Sequence, residues 1–350
     1  MSKLRFWKYL SVFLLPITVY ISFTSTGWLT FLPLIYAFGM IPLLELFFKP
    51  DHSNLDKAEQ EIVKKEFIYD LLLYLIVPIQ LLFVAYFLIT ISQPGLTALE
   101  LTGRTFGLGI MCGVFGINVA HELGHRTKKH ERFFSKMLLL TSLYLHFFIE
   151  HNRGHHKRVA TEEDPASARF NENIYAFWLR SVIYSYLSAW EIEAKRLSGK
   201  GLKAFSLLNE MLQFQLIQLM FLALIFIIFG LAPMLFFIAS ALIGILLLET
   251  VNYIEHYGLT RAKTGEGRYE RVRPHHSWNS DHVIGRVVLF ELSRHSDHHY
   301  LASKKYQTLE HHEESPQMPT GYPGMMIVAL CPPVWFKLMH PLLDQIERVS

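Results

Sequence analysis

Histidines at short, regular spacings are the residues in this chain best suited to chemistry. One segment reads His121-Glu-Leu-Gly-His125, and a second reads His151-Asn-Arg-Gly-His155-His156. Residues four apart on an α-helix lie on the same face, so His121 and His125 can chelate one metal ion, as can His151 and His155. Clustered neutral imidazoles suit iron, zinc or copper.

Two further segments bring the number of such histidines to nine. His295-Ser-Asp-His298-His299 repeats the offsets of three and four, and His256 closes a long apolar run within Asn252-Tyr-Ile-Glu-His256-Tyr-Gly-Leu. A metal ion in a protein rarely takes more than about six side-chain ligands. The count therefore favours two metal ions over one.

Most histidine motifs taken singly are weak signals. One HExxH segment is commonly an ordinary stretch of helix, and an isolated pair such as His311-His312, within Glu310-His-His-Glu-Glu314, is typical of solvated surface. A metal centre is predicted because several such histidine groups occur in one chain, each beside an apolar segment.

Composition places the chain among multi-pass membrane proteins. Of its 350 residues, 51% are hydrophobic, and the mean hydropathy is +0.25. A net charge of +3, without a basic tract, gives no indication of nucleic-acid binding. The two cysteines, Cys112 and Cys331, do not form a CxxC motif, so the chain carries no rubredoxin or other iron–sulfur module of its own, and no disulfide is expected.

Six segments are apolar over about the 17 to 25 residues that a bilayer requires. They are residues 9–26, 28–48, 67–91, 104–120, 211–230 and 233–255. Residues 137–149 are also apolar but too short, and crossing there would separate the first two histidine segments. We therefore expect residues 137–149 to return to the side from which they came.

This arrangement predicts which side of the membrane the histidines face. Four spans precede His121 and six precede His256, so all the histidine segments and both termini face one side. Basic residues are concentrated on that side, in the N-terminal tail and the loop after the second span: Lys3, Arg5, Lys8, Lys49, Lys57, Lys64 and Lys65. By the positive-inside rule, this side is the cytoplasm, and the membrane is the cell's inner membrane.

The predicted fold is an all-α integral membrane protein with a cytosolic helical cap that carries a dinuclear histidine site. Its parts are residues 1–120 with four spans, 121–210 with the first two histidine segments, 211–255 with two spans, and 256–350 with the last segment. Residues 174–197 are predicted to form either an interfacial amphipathic helix or a soluble helix of the cap. Residues 325–339 are expected to lie against the membrane surface.

Metal-bound imidazoles need a partner for the second ring nitrogen, usually a carboxylate or a carbonyl. Polar residues close to the histidines in sequence are the candidates for this supporting role: Asn118, Glu122, Glu150, Glu249, Asn252, Glu255, Asp281 and Asp297. We predict no catalytic residue beyond the metal ligands and no other cofactor-binding residue.

The order of these segments resembles the membrane-bound alkane 1-monooxygenases. That family belongs to the histidine-box superfamily of fatty-acid desaturases, hydroxylases and xylene monooxygenases. The discriminating signature is Asn252-Tyr-Ile-Glu-His-Tyr-Gly-Leu259, since desaturases share the histidine boxes but lack it. Residues 160–169, 276–282 and 319–322 also look like the family, so the match covers most of residues 115–325.

The resemblance implies a six-helix membrane domain whose cap holds two iron ions, an O2-dependent reaction that converts a terminal methyl group to a primary alcohol, and electrons from a separate rubredoxin and its NAD(P)H-dependent reductase. The implied ligands are His121, His125, His151, His155, His156, His256, His295, His298 and His299. Residues 259–273 hold five basic and two acidic residues. This segment fits an acidic rubredoxin, or equally the anionic lipids at the membrane surface.

Three other interpretations remain open from the sequence. A related hydroxylase would act on aryl methyl groups, as xylene monooxygenases do. An intramembrane zinc protease would use Glu122 as a base between His121 and His125, but it leaves the other histidines unexplained. A metal transporter would place its ligands near mid-bilayer, whereas these histidines lie at the ends of spans.

Overall fold

The structure is a computed structural model that describes residues 2–349. Side chains 2–4, 266 and 347–349 are outside the description, so the predicted contributions of Lys3 and Glu266 lie outside the described residues. The first helices are α1 (Arg5–Thr24), α2 (Gly27–Glu45), α3 (Lys57–Val63), α4 (Phe67–Ile91), α5 (Ala98–Gly124) and α6 (Lys129–Thr141).

The chain continues with α7, which joins Phe147–Glu150, a π-helical turn His151–His155 and His156–Arg158. The later helices are α8 (Ile174–Ser198), α9 (Glu210–Phe229), α10 (Leu231–His256), α11 (Val283–Val288), α12 (His295–Tyr300), α13 (Tyr322–Ala329) and α14 (Pro332–Val349). A two-stranded antiparallel ribbon pairs β1 (Lys263–Thr264) with β2 (Arg268–Tyr269).

The six-span, mostly helical fold predicted from the sequence is confirmed. Helices α1, α2, α4, α5, α9 and α10 are long and apolar enough to cross a membrane. The clearest difference lies in α5, which begins at Ala98 and extends to Gly124 instead of spanning 104–120. A capping box of Thr97 and Glu100 sets its beginning. The extension makes His121 part of the spanning helix.

Helix α5 is the central helix of the bundle because its glycines allow close approach. In its 18-residue apolar stretch 83% of the residues are buried, against 11% in the corresponding stretch of the peripheral helix α9. A Cβ on Gly109 would lie 2.6 Å from Ile243, and one on Gly244 would lie 2.6 Å from Cys112. Both contacts are shorter than side chains tolerate, so these glycines fix α5 against α10, the two helices that lead to His125 and His256.

Residues 137–149 do not form a span. Helix α6 ends at Thr141, Leu143 takes a positive φ of 51°, and α7 begins at Phe147. The chain therefore turns within this segment and brings the second histidine segment back to the end of α5. The start of α1 reaches the same end of the bundle, where Lys8 Nζ lies 2.6 Å from Glu291 Oε1.

Helix α8 matches the predicted aromatic segment and presents an apolar stripe outward. The exposed side chains on it are Tyr175, Leu179, Ile183, Tyr184 and Leu187. Buried residues such as Phe177 and Ser181 occupy the opposite face, against α10. This distribution is that of an amphipathic helix with an unusually apolar outer surface.

Candidate metal centre

All nine predicted histidines converge in two adjacent groups. The five-histidine group contains His121, His125, His151, His156 and His298, and the four-histidine group contains His155, His256, His295 and His299. Within each group, one nitrogen from every ring lies within 4.8 Å of the others. Four separate stretches of chain thus deliver their imidazoles to one place.

Rigid elements position these side chains. His121 lies in the last turn of α5, His125 caps that helix, and His256 is the final residue of α10. His151, His155 and His156 lie along α7, and α12 supplies the remaining three. Most of the nine side chains are buried, and His256 is fully excluded from solvent.

The contacts between rings have the spacing of metal ligands. Nε2 atoms face each other at 3.1 Å between His151 and His125 and at 3.0 Å between His156 and His151. Two nitrogens bound to one ion at about 2.1 Å and at right angles lie about 3.0 Å apart. His121 Nε2 is buried without a hydrogen-bond partner, as expected for a lone pair directed at an ion.

The four-histidine group has the same pattern. His155 Nε2 is 3.2 Å from His299 Nε2, and His295 Nε2 is 3.2 Å from His256 Nε2. Hydrogen bonds cannot satisfy the five-histidine group, because His151 Nε2 faces both His125 Nε2 and His156 Nε2 and one ring nitrogen carries either one proton or one lone pair. The donor set therefore fits two borderline metal ions held by imidazole nitrogens.

The π-helical turn of α7 determines which histidines share a group. The sequence spacing predicted that His151 and His155 chelate one ion. In the structure the backbone N–H of His156 donates to the carbonyl of His151, so residues five apart become neighbours. His151 therefore joins His156, and His155 turns to the four-histidine group.

Electrostatics keep most of these rings neutral. Burial, reinforced by neighbouring imidazoles, lowers the pKa of His125, His151 and His156 well below the ordinary value, and burial lowers the pKa of His298 to about 3. Neutral imidazole is the form that binds metal. Burial alone would also lower the pKa of His155, but the Asp164 carboxylate raises it.

Asp164 supplies the clearest supporting contact in the site. Its Oδ2 lies 2.8 Å from His155 Nδ1 and also accepts a hydrogen bond from Ser167 Oγ at 2.6 Å. This contact fixes Nδ1–H on His155 and leaves Nε2 free for a metal. The sequence offered Asp164 only as a carboxylate available nearby, nine residues after His155, and did not rank it among the supporting residues.

Two of the predicted supporting carboxylates lie close to the histidines in space. Glu255 Oε2 is 3.1 Å from His295 Nε2, the nitrogen that also faces His256, so it does not hold the second ring nitrogen as predicted. Glu249 and Asn252 join one network, in which Glu249 accepts hydrogen bonds from Tyr144 (2.8 Å) and Asn252 (3.3 Å). This network borders the small cavity beside His151.

The other predicted supporting residues direct their polar atoms elsewhere. Asn118 Nδ2 donates to the carbonyl of Leu289 at 3.1 Å. Glu122 pairs with Arg126 at 2.5 Å, and Glu150 pairs with Arg158 at 2.6 Å. Both pairs join residues on the segments that carry the ligands.

The last two predicted carboxylates bind histidines outside the two groups. Asp297 lies 2.8 Å from His312 Nε2, and Asp281 lies 2.7 Å from His311 Nδ1. The expectation that His311-His312 is solvated surface is therefore wrong for His311, whose side chain is only 14% exposed. The contact with Asp281, 30 residues away in sequence, partly buries this histidine, which local sequence does not reveal.

Comparisons with known proteins agree with this geometry. A fatty acid desaturase family model matches residues 100–329. An alkane 1-monooxygenase of Pseudomonas putida is 40% identical over 320 residues, which cover 91% of this chain and 79% of that protein. Alkane 1-monooxygenase 1 of Pseudomonas aeruginosa is 39% identical over 97% of this chain and 90% of its own length.

A more distant relative is a xylene/toluene monooxygenase hydroxylase component of Pseudomonas putida. It is 30% identical over 72% of this chain and 65% of that protein. Identity is thus lower, and over a shorter stretch, than with the alkane-oxidising relatives.

Proposed function

The chain belongs to the membrane-bound alkane 1-monooxygenase family, and we propose that it hydroxylates the terminal methyl group of n-alkanes to primary alcohols with O2 and electrons from reduced rubredoxin. The convergence of nine imidazoles into groups of five and four at the ends of apolar helices carries this proposal. A zinc protease would need only His121, His125 and one further ligand, which leaves most of the nine histidines unexplained.

Two iron ions are the proposed cofactor, one in each histidine group. When bound, iron supplies the activation of O2 and the oxidation of an unactivated C–H bond. The protein's own contribution is to hold the imidazoles neutral and oriented. Asp164 fixes the tautomer of His155, and burial keeps His125 and His298 unprotonated.

The bilayer itself is the proposed source of substrate. An alkane partitions into hydrocarbon, and α5 and α10 run from the apolar bundle directly to His121 and His256. Phe147 stacks on His151 with ring centroids 4.6 Å apart, so an apolar ring borders the five-histidine group. Positioning one methyl group against such a surface is the main task left to the protein.

Electrons are proposed to come from a separate rubredoxin, reduced by an NAD(P)H-dependent reductase. In the predicted basic segment, Lys263, Arg268, Arg271 and Arg273 are exposed. Arg261 is buried and donates to the carbonyl of Lys157 at 2.9 Å, which ties this segment to the end of α7. A positive surface so connected to the site suits an acidic protein donor.

We place the enzyme in the inner membrane with its histidines facing the cytoplasm. The basic N-terminal end of α1 contacts the segment that leads into α12, so these two parts lie on one side. The positive-inside rule assigns that side to the cytoplasm.

The decisive experiment measures metal content together with a single turnover. Purified protein is reduced without oxygen, then mixed with O2 and either octane or toluene. About two iron ions per chain and formation of 1-octanol are expected. Benzyl alcohol as the preferred product would favour the aryl-methyl alternative, and zinc with no alcohol would overturn the monooxygenase proposal.

A further inference from the structure

We propose that His52, Asp281 and His311 form a third metal site, for a divalent ion of the zinc class, separate from the nine histidines. This outer triad comes from three loops: the one after α2, the one before α11 and the one that follows Leu309. The proposal does not depend on the reaction that the enzyme catalyses.

The three side chains converge: the contact between His52 and Asp281 has the separation of two zinc ligands, whereas that between His311 and Asp281 is at hydrogen-bond distance and would lengthen by a few tenths of an ångström around an ion. His311 Nδ1 lies 2.7 Å and His52 Nδ1 lies 3.2 Å from Asp281 Oδ2, and all three atoms are within 4.8 Å of one another. Ligand atoms on one zinc ion are separated by about 3.0 to 3.4 Å. Two imidazoles and one carboxylate, with room for water, form a common donor set for zinc.

In this cluster, Asp281 Oδ2 has more potential hydrogen-bond donors around it than it has lone pairs. Asp281 Oδ2 has three neighbours that would each have to donate to it: His52, His311 and Asn279 Nδ2 at 3.1 Å. A carboxylate oxygen offers two lone pairs. A cation bound to Oδ2 and to both Nδ1 lone pairs removes the conflict, because the imidazoles then act as acceptors and carry their protons on Nε2.

The carboxylate is held in the orientation that such an ion requires. Its side chain is fully buried, and Oδ1 accepts a hydrogen bond from Arg294 Nε at 3.0 Å. Oδ2 is thereby turned toward the two imidazoles. Contacts of this kind to the non-coordinating oxygen orient ligands in metal sites.

The loops that carry the histidines are tied together by backbone contacts. Arg294 also donates to the carbonyls of Ser53 at 2.9 Å and Leu309 at 2.8 Å. Asn54 accepts a hydrogen bond from the N–H of His311 and donates to its carbonyl, at 2.7 and 2.9 Å. The site is therefore preorganised without an ion.

The surrounding charge predicts moderate affinity. The charged groups that pair around the triad balance one another: Asp51, Asp281 and Glu291 against Lys8, Arg286 and Arg294. A divalent ion adds uncompensated charge, but the His52 side chain is 53% exposed and gives it access to solvent. We expect weaker binding than at the buried histidine groups.

An ion in the outer triad would stabilise the position of the histidine segment His295–His299. Arg294 connects Asp281 to His295, the next residue, so an ion that fixes Asp281 also restrains the start of α12. The site would thus stabilise the contact between the loop after α2 and the cap.

Zinc binding to the iron-loaded enzyme tests the proposal. Equilibrium dialysis against zinc, with iron measured in the same samples, should show about one additional zinc per chain and no loss of iron. We expect His52→Ala and His311→Ala to weaken this binding at least tenfold, since each removes one of three ligands. His130→Ala is the matched control, because this exposed histidine contacts Tyr74 and Phe134 and lies in none of the three histidine clusters.

Three outcomes would overturn the site. These are no additional zinc in the wild type, equal binding by the wild type and both variants, or release of iron as zinc enters. If His311→Ala fails to fold, the exposed His52→Gln decides alone, because its binding is measured against the wild type and His130→Ala.

Discussion

Two kinds of histidine segment meet in the candidate metal centre, and the same four-residue spacing has a different result in each. His121 and His125 are four residues apart and share a group, as do His295 and His299. His151 and His155 are also four apart, yet they belong to different groups. Equal spacing therefore does not guarantee a shared metal ion.

The difference comes from the local helix type. His121 lies on α5 and His295 on α12, both with ordinary α-helical turns at this point, whereas His151–His155 forms a π-helical turn. A π-turn brings residues five apart together, so His151 faces the same way as His156. One irregular turn thus divides its three histidines between two groups.

Removing one ligand should give the largest effect and test the division into groups. We expect His256→Ala to abolish alkane hydroxylation and to lower bound iron from about two ions per chain to about one, because the four-histidine group would lose a buried ligand. Iron analysis and product formation in membranes measure both. His130→Ala should behave as the wild type. Full turnover by His256→Ala would remove this residue from the ligand set.

A substitution at Gly154 tests the π-helical turn directly, because this residue lies within it. A Cβ at this position would lie 2.5 Å from Glu150 Oε1 and 2.5 Å from Arg158 Nη2. We expect Gly154→Ala to displace this ion pair, distort the turn and reduce activity at least tenfold. Activity per bound iron is the measurement.

The matched control for this change is Gly265→Ala, since a Cβ on Gly265 would have no other atom within 4 Å. That variant should retain wild-type activity. If both variants retain full activity, the π-turn does not depend on the space that Gly154 leaves.

Two aspartates near the histidines should differ in their effect on metal affinity. Asp164 contacts His155 Nδ1 directly, whereas Asp297 contacts His312 and Lys304. We expect Asp164→Asn to weaken iron binding about 10- to 100-fold, the usual range for loss of such a partner. Asp297→Asn should change it less. Competition with a chelator gives the ratio, and equal losses would contradict the difference.

The smallest expected effect is a pH dependence of the chelator-treated protein. Burial lowers the pKa of His125, His151 and His298 in the folded state, while unfolded histidines titrate near 6.5. Below that pH the unfolded chain binds more protons, so the free energy of unfolding falls as the pH decreases from about 7 to 5. The raised pKa of His155 acts in the opposite direction.

Thermal unfolding at pH 7.5 and 5.5 measures this effect. His298→Gln should reduce the loss at low pH, because glutamine does not titrate. An unfolding temperature that rises on acidification would show that the raised pKa of His155 outweighs the lowered values.

Much of this protein was predictable from its sequence. Apolar length defined six spans, and the clustering of His121, His151, His256 and His295 with their neighbours identified the histidines that converge. Both signals are local, since a bilayer requires a minimum apolar length and a metal centre requires many imidazoles. Even the return of residues 137–149 followed from the need to bring two segments together.

The tertiary structure decided the division into groups of five and four, the partner of His155 and the partial burial of His311. The π-turn places Gly154 against the Glu150–Arg158 ion pair, Asp164 reaches His155 through a loop, and His311 meets Asp281 only when the chain has folded. These contacts join residues far apart or depend on small changes in helical phase. The spacing of residues along the chain predicts neither such long-range contacts nor such changes in helical phase.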